Sequence, residues 1–404
     1  MRRCLQKHST TMSKRAVFTK KIITPDTIIP QGIVLLEGKK VLEVGTRFNL
    51  AFDESEFEIL HFEQETLVPG FIDVHIHGAR GRDIMEGTRE AVEIVSRHLA
   101  LHGTTSYLAT TVTASPIETI QAVESLGKLV PEETGGARIL GLHLEGPFIS
   151  HEKRGVHPPE HIRPPSTRIF DELLKMSNDQ VRLITVAPEV AGGLDFIAHI
   201  RSKGVLVSLG HSNATCEVAR QAIQAGASNA THTFNAMRDF THRQPGVLGA
   251  VLTDSTLWAE LIADGVHVDP VAIQMLLKCK GYRRILLVTD AVSATGMPDG
   301  DFKLGNLLVK VSQGVCRVPD GALAGSTLSL DRALQNMIRW TGIPLEEAIY
   351  MTSRNPAESI GVANTKGSIE PGYDADMVLL GDDLRVHGTF CEGKLIQRDS
   401  ASFS

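Results

Sequence analysis

The sequence predicts an α/β protein: a (β/α)8 barrel of the TIM type, carrying a small β-sandwich domain built from the N- and C-terminal segments. Between residues 70 and 290, eight short apolar runs alternate with stretches of helical character, and this barrel requires eight such units. No GxGxxG turn follows any of these runs, which disfavours the alternative of a doubly wound open sheet. Both ends of the chain carry short β-prone runs, and neither end is large enough to bury a core alone.

These patterns divide the chain into three parts: residues 1–15 as a disordered tail, residues 16–67 together with 362–404 as the small β domain, and residues 68–361 as the catalytic barrel. The tail holds three arginines, two lysines and no acidic residue. It lacks the apolar centre of a signal peptide and is short for a transit peptide. We therefore expect a frayed end, or an early start codon with Met12 as the true start.

The strands of the small domain and of the barrel are predicted from their apolar runs. In the N-terminal part, β-prone runs at residues 33–36, 40–44 and 57–62 are separated by polar turns, which is typical of a small sheet. From Pro69 onward the pattern changes to strand, loop and helix in alternation. The predicted barrel strands cover residues 70–77, 105–111, 138–145, 181–186, 205–210, 229–232, 258–264 and 284–290.

Capping residues mark the helices between these runs. Ser115 precedes Pro116 and Asp269 precedes Pro270, so each pair combines an N-cap residue with proline at the first helical position. Another helix is predicted to start after residue 212 and to end near Ala225, before a glycine suited to a left-handed cap. Later helices are predicted over residues 329–340 and 345–353, and later strands over residues 377–380, 387–391 and 394–397.

Composition restricts the classes of function. A hydrophobic fraction of 42% and a charged fraction of 22% are ordinary for a globular protein and exclude a disordered chain. The apolar runs are too short to span a bilayer, so we expect no membrane partner. The net charge of −6 offers no basic field for a nucleic-acid backbone, so that partner is not expected either. Five cysteines without a CxxC pair predict reduced thiols in a cytoplasmic protein.

The strongest chemical signal is the pair His75 and His77 at the end of the first predicted barrel strand. Side chains alternate between the two faces of a strand, so both imidazoles point the same way. The carboxyl ends of barrel strands form the rim where catalytic groups collect. The pair therefore predicts half of a metal site, against the plainer interpretation of two core histidines satisfied by their neighbours.

Other residues of ligand type end further predicted strands. Glu145 follows an apolar run, where a carboxylate is costly to bury without a cation or a partner. His211, His232 and Asp290 end three more runs. Each alone is more often a capping or core residue, but their coincidence at one rim predicts a catalytic metal site. Such a cation activates water and polarises a carbonyl, while a free carboxylate nearby takes the proton.

Several motifs resemble those of known families. The segment PGFIDVHIHG, from Pro69 to Gly78, resembles the first-strand signature of the amidohydrolase superfamily. The segment GSIEPGYDAD, from Gly367 to Asp376, resembles the return of that superfamily into its small β domain. Five internal segments resemble the N-acetylglucosamine-6-phosphate deacetylase family, and the likeness covers nearly the whole chain. They are HLEGPF at 143–148, GHSNA at 210–214, THTFNAM at 231–237, ADGVH at 263–267 and VTDA at 288–291.

The resemblance implies an activity and its cofactor. The activity is metal-dependent hydrolysis of the acetamide of N-acetyl-D-glucosamine 6-phosphate, which gives D-glucosamine 6-phosphate and acetate in amino-sugar catabolism. Asp290 matches the catalytic acid and base of the family. One or two divalent ions, zinc or iron, are implied, with Glu145 bridging them when two are bound. The implied metal ligands are Glu145, His211, His232, His75 and His77.

The resemblance also implies the substrate contacts and the assembly. His267 and Arg243 match residues that contact the phosphate and the sugar, and in the family the arginine comes from the other subunit of a homodimer. The phosphorylated amino sugar is thus the implied partner. The other residues that match the sugar-phosphate site are Val156, His157, Asn235, Ala236, Asp264, Leu323, Ala324 and Gly325.

Two alternatives stay open at the level of sequence. Another amidohydrolase, acting on a cyclic amide or an N-acyl amino acid, shares the metal rim but does not need cationic donors such as His267 and Arg243. A barrel that serves binding or assembly without catalysis dispenses with the ligands or with the base. This chain keeps all of them, which favours an enzyme.

Overall fold

A computed structural model describes residues 14–397. Of the predicted tail at residues 1–15, residues 1–13 lie outside the described part, and residues 14–15 belong to the first strand of the structure and are not disordered. Its strands in chain order are β1 Lys14–Ile23, β2 Ile28–Pro30, β3 Gly32–Glu37, β4 Lys40–Thr46, β5 Glu58–Pro69, β6 Phe71–Ile76, β7 Gly78–Ala79, β8 Arg82–Asp83, β9 Thr104–Thr111, β10 Arg138–Glu145, β11 Val181–Val186, β12 Leu206–Leu209, β13 Asn229–Ala230, β14 Trp258–Ile262, β15 Ile285–Val288, β16 Gly300–Leu304, β17 Leu307–Ser312, β18 Val315–Arg317, β19 Met377–Leu380, β20 Val386–Cys391 and β21 Lys394–Ile396. Its α-helices are α1 Arg89–Ala100, α2 Pro116–Leu129, α3 Thr167–Met176, α4 Gly193–Ser202, α5 Cys216–Gln224, α6 Gly246–Thr253, α7 Pro270–Lys280, α8 Leu330–Thr341, α9 Leu345–Thr352 and α10 Arg354–Ser359.

Eight parallel strands form the predicted barrel. Their hydrogen-bonded order is β6, β9, β10, β11, β12, β13, β14 and β15, so strands that are consecutive in the barrel follow one another along the chain. Between the first and the last strand, a parallel bridge joins Ile76 to Ala291. The Asp290 N–H also donates to the His75 carbonyl at 2.9 Å. These contacts close the barrel, and they place His75 beside Asp290.

The structure confirms the predicted barrel strands, and two of them also have the predicted first and last residues. The runs at 138–145 and 181–186 coincide with β10 and β11. Only half of the predicted run at 229–232 forms a strand, since β13 holds two residues. The strand ends early because the backbone enters the left-handed region at His232, with φ of 27°. Periodicity cannot detect a turn of this kind, since the residues on both sides of it are buried.

The helix signals are confirmed in two cases, and in a third the predicted end near Ala225 is confirmed but the start is shifted. Ser115 and Asp269 cap α2 and α7 through their side chains, and each helix starts with proline. The helix predicted to follow residue 212 starts later, at Cys216, because Ser212 pairs with Met237 in a parallel bridge and is not free to enter a helix. No helix within residues 14–397 is both long and apolar enough to cross a bilayer.

The N- and C-terminal segments meet in one sheet outside the barrel, as predicted. Its order is β21, β20, β19, β5, β1, β3 and β4, with β2 paired to β1. These strands are hydrogen-bonded continuously into one sheet of eight. Its core joins Val17 and Leu67 from the N-terminal segment to Met377 and Phe390 from the C-terminal one, so neither segment buries this core alone.

Two parts of the fold were absent from the prediction. β1 starts at Lys14 and lies between β3 and β5 in the sheet, but its lysines and arginine interrupt the apolar pattern and resemble the tail before it. The three-stranded antiparallel sheet of β16, β17 and β18 follows the last barrel strand. Its inner residues Leu304 and Val309 pack with Val112 and Val292 in a separate small core.

Candidate metal centre and substrate cavity

The ligand-type residues predicted at strand ends do meet at the carboxyl rim of the barrel. Glu145 is the last residue of β10 and His75 lies within β6. His211, His232 and Asp290 each stand two residues after a strand, where the backbone adopts positive φ angles of 47°, 27° and 50°. Left-handed backbone is costly for residues other than glycine and is concentrated at functional sites. At these three positions the turn redirects the side chain from the barrel wall to the centre of the rim.

The first cluster of ligand atoms consists of Glu145, His211 and His232. The Nε2 atoms of both histidines lie 3.1 Å from Oε1 of Glu145, and they lie 3.1 Å from each other. All three side chains are buried. One carboxylate oxygen and two imidazole nitrogens converge here in the way that three protein ligands of a catalytic zinc-type site do.

The second cluster consists of His75, His77 and Asp290. The Nε2 atoms of the two histidines are 3.2 Å apart, and Oδ1 of Asp290 is 3.1 Å from Nε2 of His77. Glu145 joins this cluster to the first, because its Oε1 lies 3.4 Å from Nε2 of His75 and its Oε2 lies 3.3 Å from Nε2 of His77. The two oxygens of Glu145 thus face both clusters, which is the position of a bridging carboxylate.

The hydrogen bonds of the opposite ring nitrogens support a cation at each cluster. Nδ1 of His77 contacts the Thr110 carbonyl at 3.1 Å, and Nδ1 of His211 contacts the Lys153 carbonyl at 2.9 Å. A carbonyl oxygen only accepts, so these Nδ1 atoms carry protons, and in the neutral rings that bind a cation the Nε2 atoms carry the lone pairs. Each Nε2 faces the other ligand atoms of its own cluster, where imidazole nitrogens and a carboxylate oxygen lie within 4.8 Å of one another. This set of donors fits a divalent ion.

The charge states of the two carboxylates and of His211 suit cation binding. Burial raises the pKa of Asp290, but its hydrogen bond with His77 and nearby imidazole charge outweigh burial and hold the pKa at about 2. Burial also acts on Glu145, and the charge of His75 overrides it, so the pKa of Glu145 lies well below its usual value. Burial lowers the pKa of His211 to about 4. At neutral pH the two carboxylates are therefore anionic and His211 offers a neutral nitrogen.

A cavity of about 200 Å³ opens beside the two clusters. Seven residues predicted to bind substrate line it, together with four of the five predicted metal ligands, all but His75. On its wall, the Thr113 N–H donates to Nδ1 of His157 at 3.3 Å, so Nε2 of His157 carries the proton and lies 3.5 Å from Oε2 of Glu145. The predicted residues in this wall are Val156, His157, Asn235, Ala236, His267, Leu323 and Gly325.

Three predicted contacts lie outside this wall. Ala324 is buried in the small core under the three-stranded sheet. Asp264 stands behind His267, with its Oδ2 2.6 Å from Nδ1 of that histidine, and so orients a residue of the wall. Arg243 is exposed and does not line the cavity of its own chain. A glycine is required at position 325, because a Cβ there would lie 2.8 Å from the Asp290 carbonyl oxygen.

Sequence reasoning missed some residues of the site. Leu304 and Leu307, on the sheet of β16 to β18, line the cavity, and no local pattern connects this sheet to the rim. Glu260 lies in β14 with no exposed surface and contacts Nδ1 of His75 at 3.1 Å. The sequence did contain a signal for Glu260, because it is a carboxylate within an apolar run. Burying a carboxylate without a partner is costly, and the same argument had identified Glu145.

Comparison with known proteins agrees with this geometry. The family model described as the amidohydrolase family matches residues 66–396, and the chain belongs to this family of hydrolases. Its relatives narrow the class further. N-acetylglucosamine-6-phosphate deacetylase of Vibrio furnissii is 41% identical over 330 residues, covering 82% of each chain. N-acetylgalactosamine-6-phosphate deacetylase of Escherichia coli O157:H7 is 41% identical over 334 residues, covering 82% of this chain and 88% of the relative.

The solved structures agree with the relatives. The crystal structure of N-acetylglucosamine-6-phosphate deacetylase from Pasteurella multocida superimposes with a TM-score of 0.89 and 33% identity, covering 95% of this chain and 100% of the other. This superposition covers nearly the whole chain, so the similarity includes the small sheet as well as the barrel. Within the amidohydrolases, the chain therefore groups with the deacetylases of amino-sugar phosphates.

Proposed function

We propose that the protein hydrolyses the acetamide of N-acetyl-D-glucosamine 6-phosphate, releasing acetate and D-glucosamine 6-phosphate in amino-sugar catabolism. One observation carries this proposal: the cavity that holds Glu145, His211 and His232 also presents the acid Asp290 and the cationic donor His267. An amide bond and a phosphate group at opposite ends of one small substrate fit these two kinds of group. The names of the relatives support the same substrate.

The residues of the chain divide the reaction between them. A divalent cation, when bound, supplies Lewis acidity that activates water and polarises the acetamide carbonyl. Asp290 accepts the proton of the attacking water and delivers it to the amide nitrogen, which otherwise is a poor leaving group. His157 carries a proton on Nε2 at the cavity wall and donates to the oxygen that becomes negative in the tetrahedral intermediate.

We propose that two divalent ions bind, zinc or iron. One would be held by Glu145, His211 and His232, and the other by His75 and His77. The position of Glu145 between the clusters supports shared ligation. Nitrogen and carboxylate ligands without cysteine suit both metals. Metal analysis of the purified protein, with both metals assayed, decides the identity and the number.

The phosphate end of the substrate is proposed to be bound by His267 and by Arg243 of a second copy of the chain in a homodimer. His267 lines the cavity and is paired with Asp264. Arg243 is exposed and outside the cavity of its own chain, so it has access to a neighbouring subunit. Dianionic phosphate is well matched by an imidazolium and a guanidinium.

We propose a cytoplasmic location and the domain limits derived from sequence. Cys216, Cys279, Cys316 and Cys391 are free thiols among the described residues, which supports a reducing compartment. The limits at residues 16–67 plus 362–404 for the small domain and 68–361 for the barrel are tested by limited proteolysis.

Acetate release from four sugars tests the proposed function. The substrates are the N-acetyl derivatives of glucosamine and galactosamine, each with and without the 6-phosphate. We expect turnover of N-acetylglucosamine 6-phosphate and loss of kcat/KM by orders of magnitude without the phosphate. Turnover of unphosphorylated cyclic amides or N-acyl amino acids with no activity on the sugar phosphates would favour another amidohydrolase. Preference for the galactosamine epimer would correct the sugar and keep the mechanism.

A further inference from the structure

Glu260 is the one buried carboxylate on β14 that the proposed chemistry does not use. It has no exposed surface and points into the barrel beneath the rim. An ionised carboxylate at such a position is costly unless charges or hydrogen bonds compensate it. The groups that contact the Glu260 carboxylate therefore indicate its role.

One oxygen of Glu260 contacts both ligand clusters. Oε2 lies 3.1 Å from Nδ1 of His75 and accepts the backbone N–H of His232 at 3.2 Å. His75 belongs to one cluster and His232 to the other. The Glu260 carbonyl also accepts the Thr233 N–H at 2.8 Å. Oε1 has no hydrogen-bond partner among the described residues, so the contacts of this carboxylate are concentrated on the metal ligands.

The other ligand imidazoles are oriented differently. Nδ1 of His77 and Nδ1 of His211 contact backbone carbonyls, those of Thr110 and Lys153. These acceptors are fixed by the fold itself. His75 depends on a side chain instead, and a carboxylate polarises an imidazole more strongly than a carbonyl does.

His232 depends on Glu260 in a second way. Its Nδ1 has no partner among the described residues, so no hydrogen bond on the side of the ring away from the cluster sets its orientation. The ring direction follows from the backbone, which has φ of 27°, an uncommon value that the surroundings must hold in place. Two hydrogen bonds to Glu260 stabilise this turn. The His232 N–H donates to the Glu260 side chain, and the Thr233 N–H donates to the Glu260 carbonyl.

We propose that Glu260 is a positioning residue for both ligand clusters at once. It directs the Nε2 lone pair of His75 at one cation, and it holds the backbone turn that directs His232 at the other. The inference rests on the proposed metal centre and extends it to a residue that ligates no metal. Its consequence is specific: loss of one side chain weakens binding at both positions.

Three substitutions separate geometry from charge. Glu260→Gln keeps an oxygen that accepts both hydrogen bonds but removes the charge. Glu260→Asp keeps the charge but withdraws it by one methylene, out of reach of His75. Glu260→Leu removes both. The matched control is Asp331→Asn, a buried carboxylate that contacts His102 at 3.1 Å and no metal ligand.

Metal affinity and the absorption spectrum of the cobalt-substituted protein are measured for each variant, with Zn²⁺ and Co²⁺ as the probes. We expect the Asp and Leu variants to lose about ten- to a hundredfold in affinity at both positions, with altered cobalt bands. The Gln variant should keep the wild-type bands and lose less affinity. The control should match wild type. A folded Asp or Leu variant with wild-type affinity and spectrum would overturn the inference.

These readouts distinguish failure of the inference from failure of the proposed function. If the wild-type protein binds no divalent ion, the metal centre itself is wrong. If it binds ions and the Asp variant binds them equally well, only the role of Glu260 is wrong. Because the Asp variant conserves the charge and nearly the volume, it serves as the test where Leu prevents folding.

Discussion

His211 and His232 direct their Nε2 atoms at each other across 3.1 Å, although Nδ1 of His211 is committed to the Lys153 carbonyl. With its proton on Nδ1, His211 presents the lone pair of Nε2 to His232 and to Glu145, as a metal ligand does. Oε1 of Glu145 lies 3.1 Å from both nitrogens. This arrangement of three ligand atoms is the structural basis of the proposed metal centre, and it depends on two turns of left-handed backbone.

Replacing His211 with Ala should remove most of the metal held with Glu145 and His232. The loss of one of three protein ligands leaves the cation with two, which is too few for stable binding. Elemental analysis after gel filtration measures the metal content. His199→Ala is the control, because His199 pairs with Asp171 at 2.8 Å and not with a metal ligand. Wild-type metal content in His211→Ala would contradict the assignment.

Asp290→Asn should lower kcat by roughly a hundredfold or more, in line with general acid–base contributions. The amide keeps the shape of the side chain but cannot take a proton from water. Metal should stay at the cluster of Glu145, since that cluster is complete without Asp290. Steady-state kinetics on metal-loaded protein measure the effect, with Asp269→Asn, a cap of α7, as the control. Near-normal kcat and an unchanged acidic limb of the pH–rate profile would remove Asp290 from the mechanism.

The affinity for the phosphorylated sugar should depend on pH through His267. Burial lowers the pKa of His267, but its hydrogen bond to Asp264 outweighs burial and raises the pKa above the usual value. The imidazolium that attracts phosphate is therefore present below this raised pKa and is lost as the pH rises through it, so KM rises there. Asp264→Asn removes the cause of the shift and should move the rise in KM to lower pH. An unchanged midpoint in this variant would contradict the pairing, and an unphosphorylated sugar is the control.

Arg243→Ala should raise KM for the sugar phosphate far more than it lowers kcat, because a contact to phosphate is equal in the ground and transition states. If Arg243 acts across a dimer, mixing this variant with Asp290→Asn should restore activity, since one site of each heterodimer then holds both intact residues. Arg220→Ala, another exposed arginine, is the control. Confirmed heterodimers without restored activity would count against a shared site.

Lys366→Met should destabilise the fold by about 3–5 kcal/mol, since it leaves the buried carboxylate of Asp376 without its cation. Lys366 contacts Asp374 at 3.0 Å and Asp376 at 2.5 Å, and the side chains of Lys366 and Asp376 are each 6% exposed. Urea denaturation measures the change. Lys40→Met is the matched control, because Lys40 contacts the same Asp374 but is 49% exposed, and a surface pair contributes only about 0–1 kcal/mol. Equal losses in both variants would contradict the role of burial.

Prediction from sequence succeeded where the signal was local. The eight apolar runs and the capping pairs at Ser115 and Asp269 each identify one element by its own residues, and the structure confirms them. Prediction failed where an element forms only through contacts with residues far away in the sequence. β1 has a basic sequence and is a strand because β3 and β5 flank it. The sheet of β16 to β18 brings Leu304 and Leu307 to the cavity although nothing nearby in sequence points to the rim.

The sequence by itself determined the class of fold and the chemistry at the rim. Residues of ligand type stand at the ends of apolar runs, and the carboxyl ends of parallel strands in one barrel must face the same side. Only the tertiary structure decided which atoms meet. Barrel closure brings Asp290 to His75, and the left-handed turns at His211 and His232 aim their rings at Glu145. Glu260 touches both clusters, because contacts between residues far apart in sequence depend on strand order and register, which no local pattern encodes.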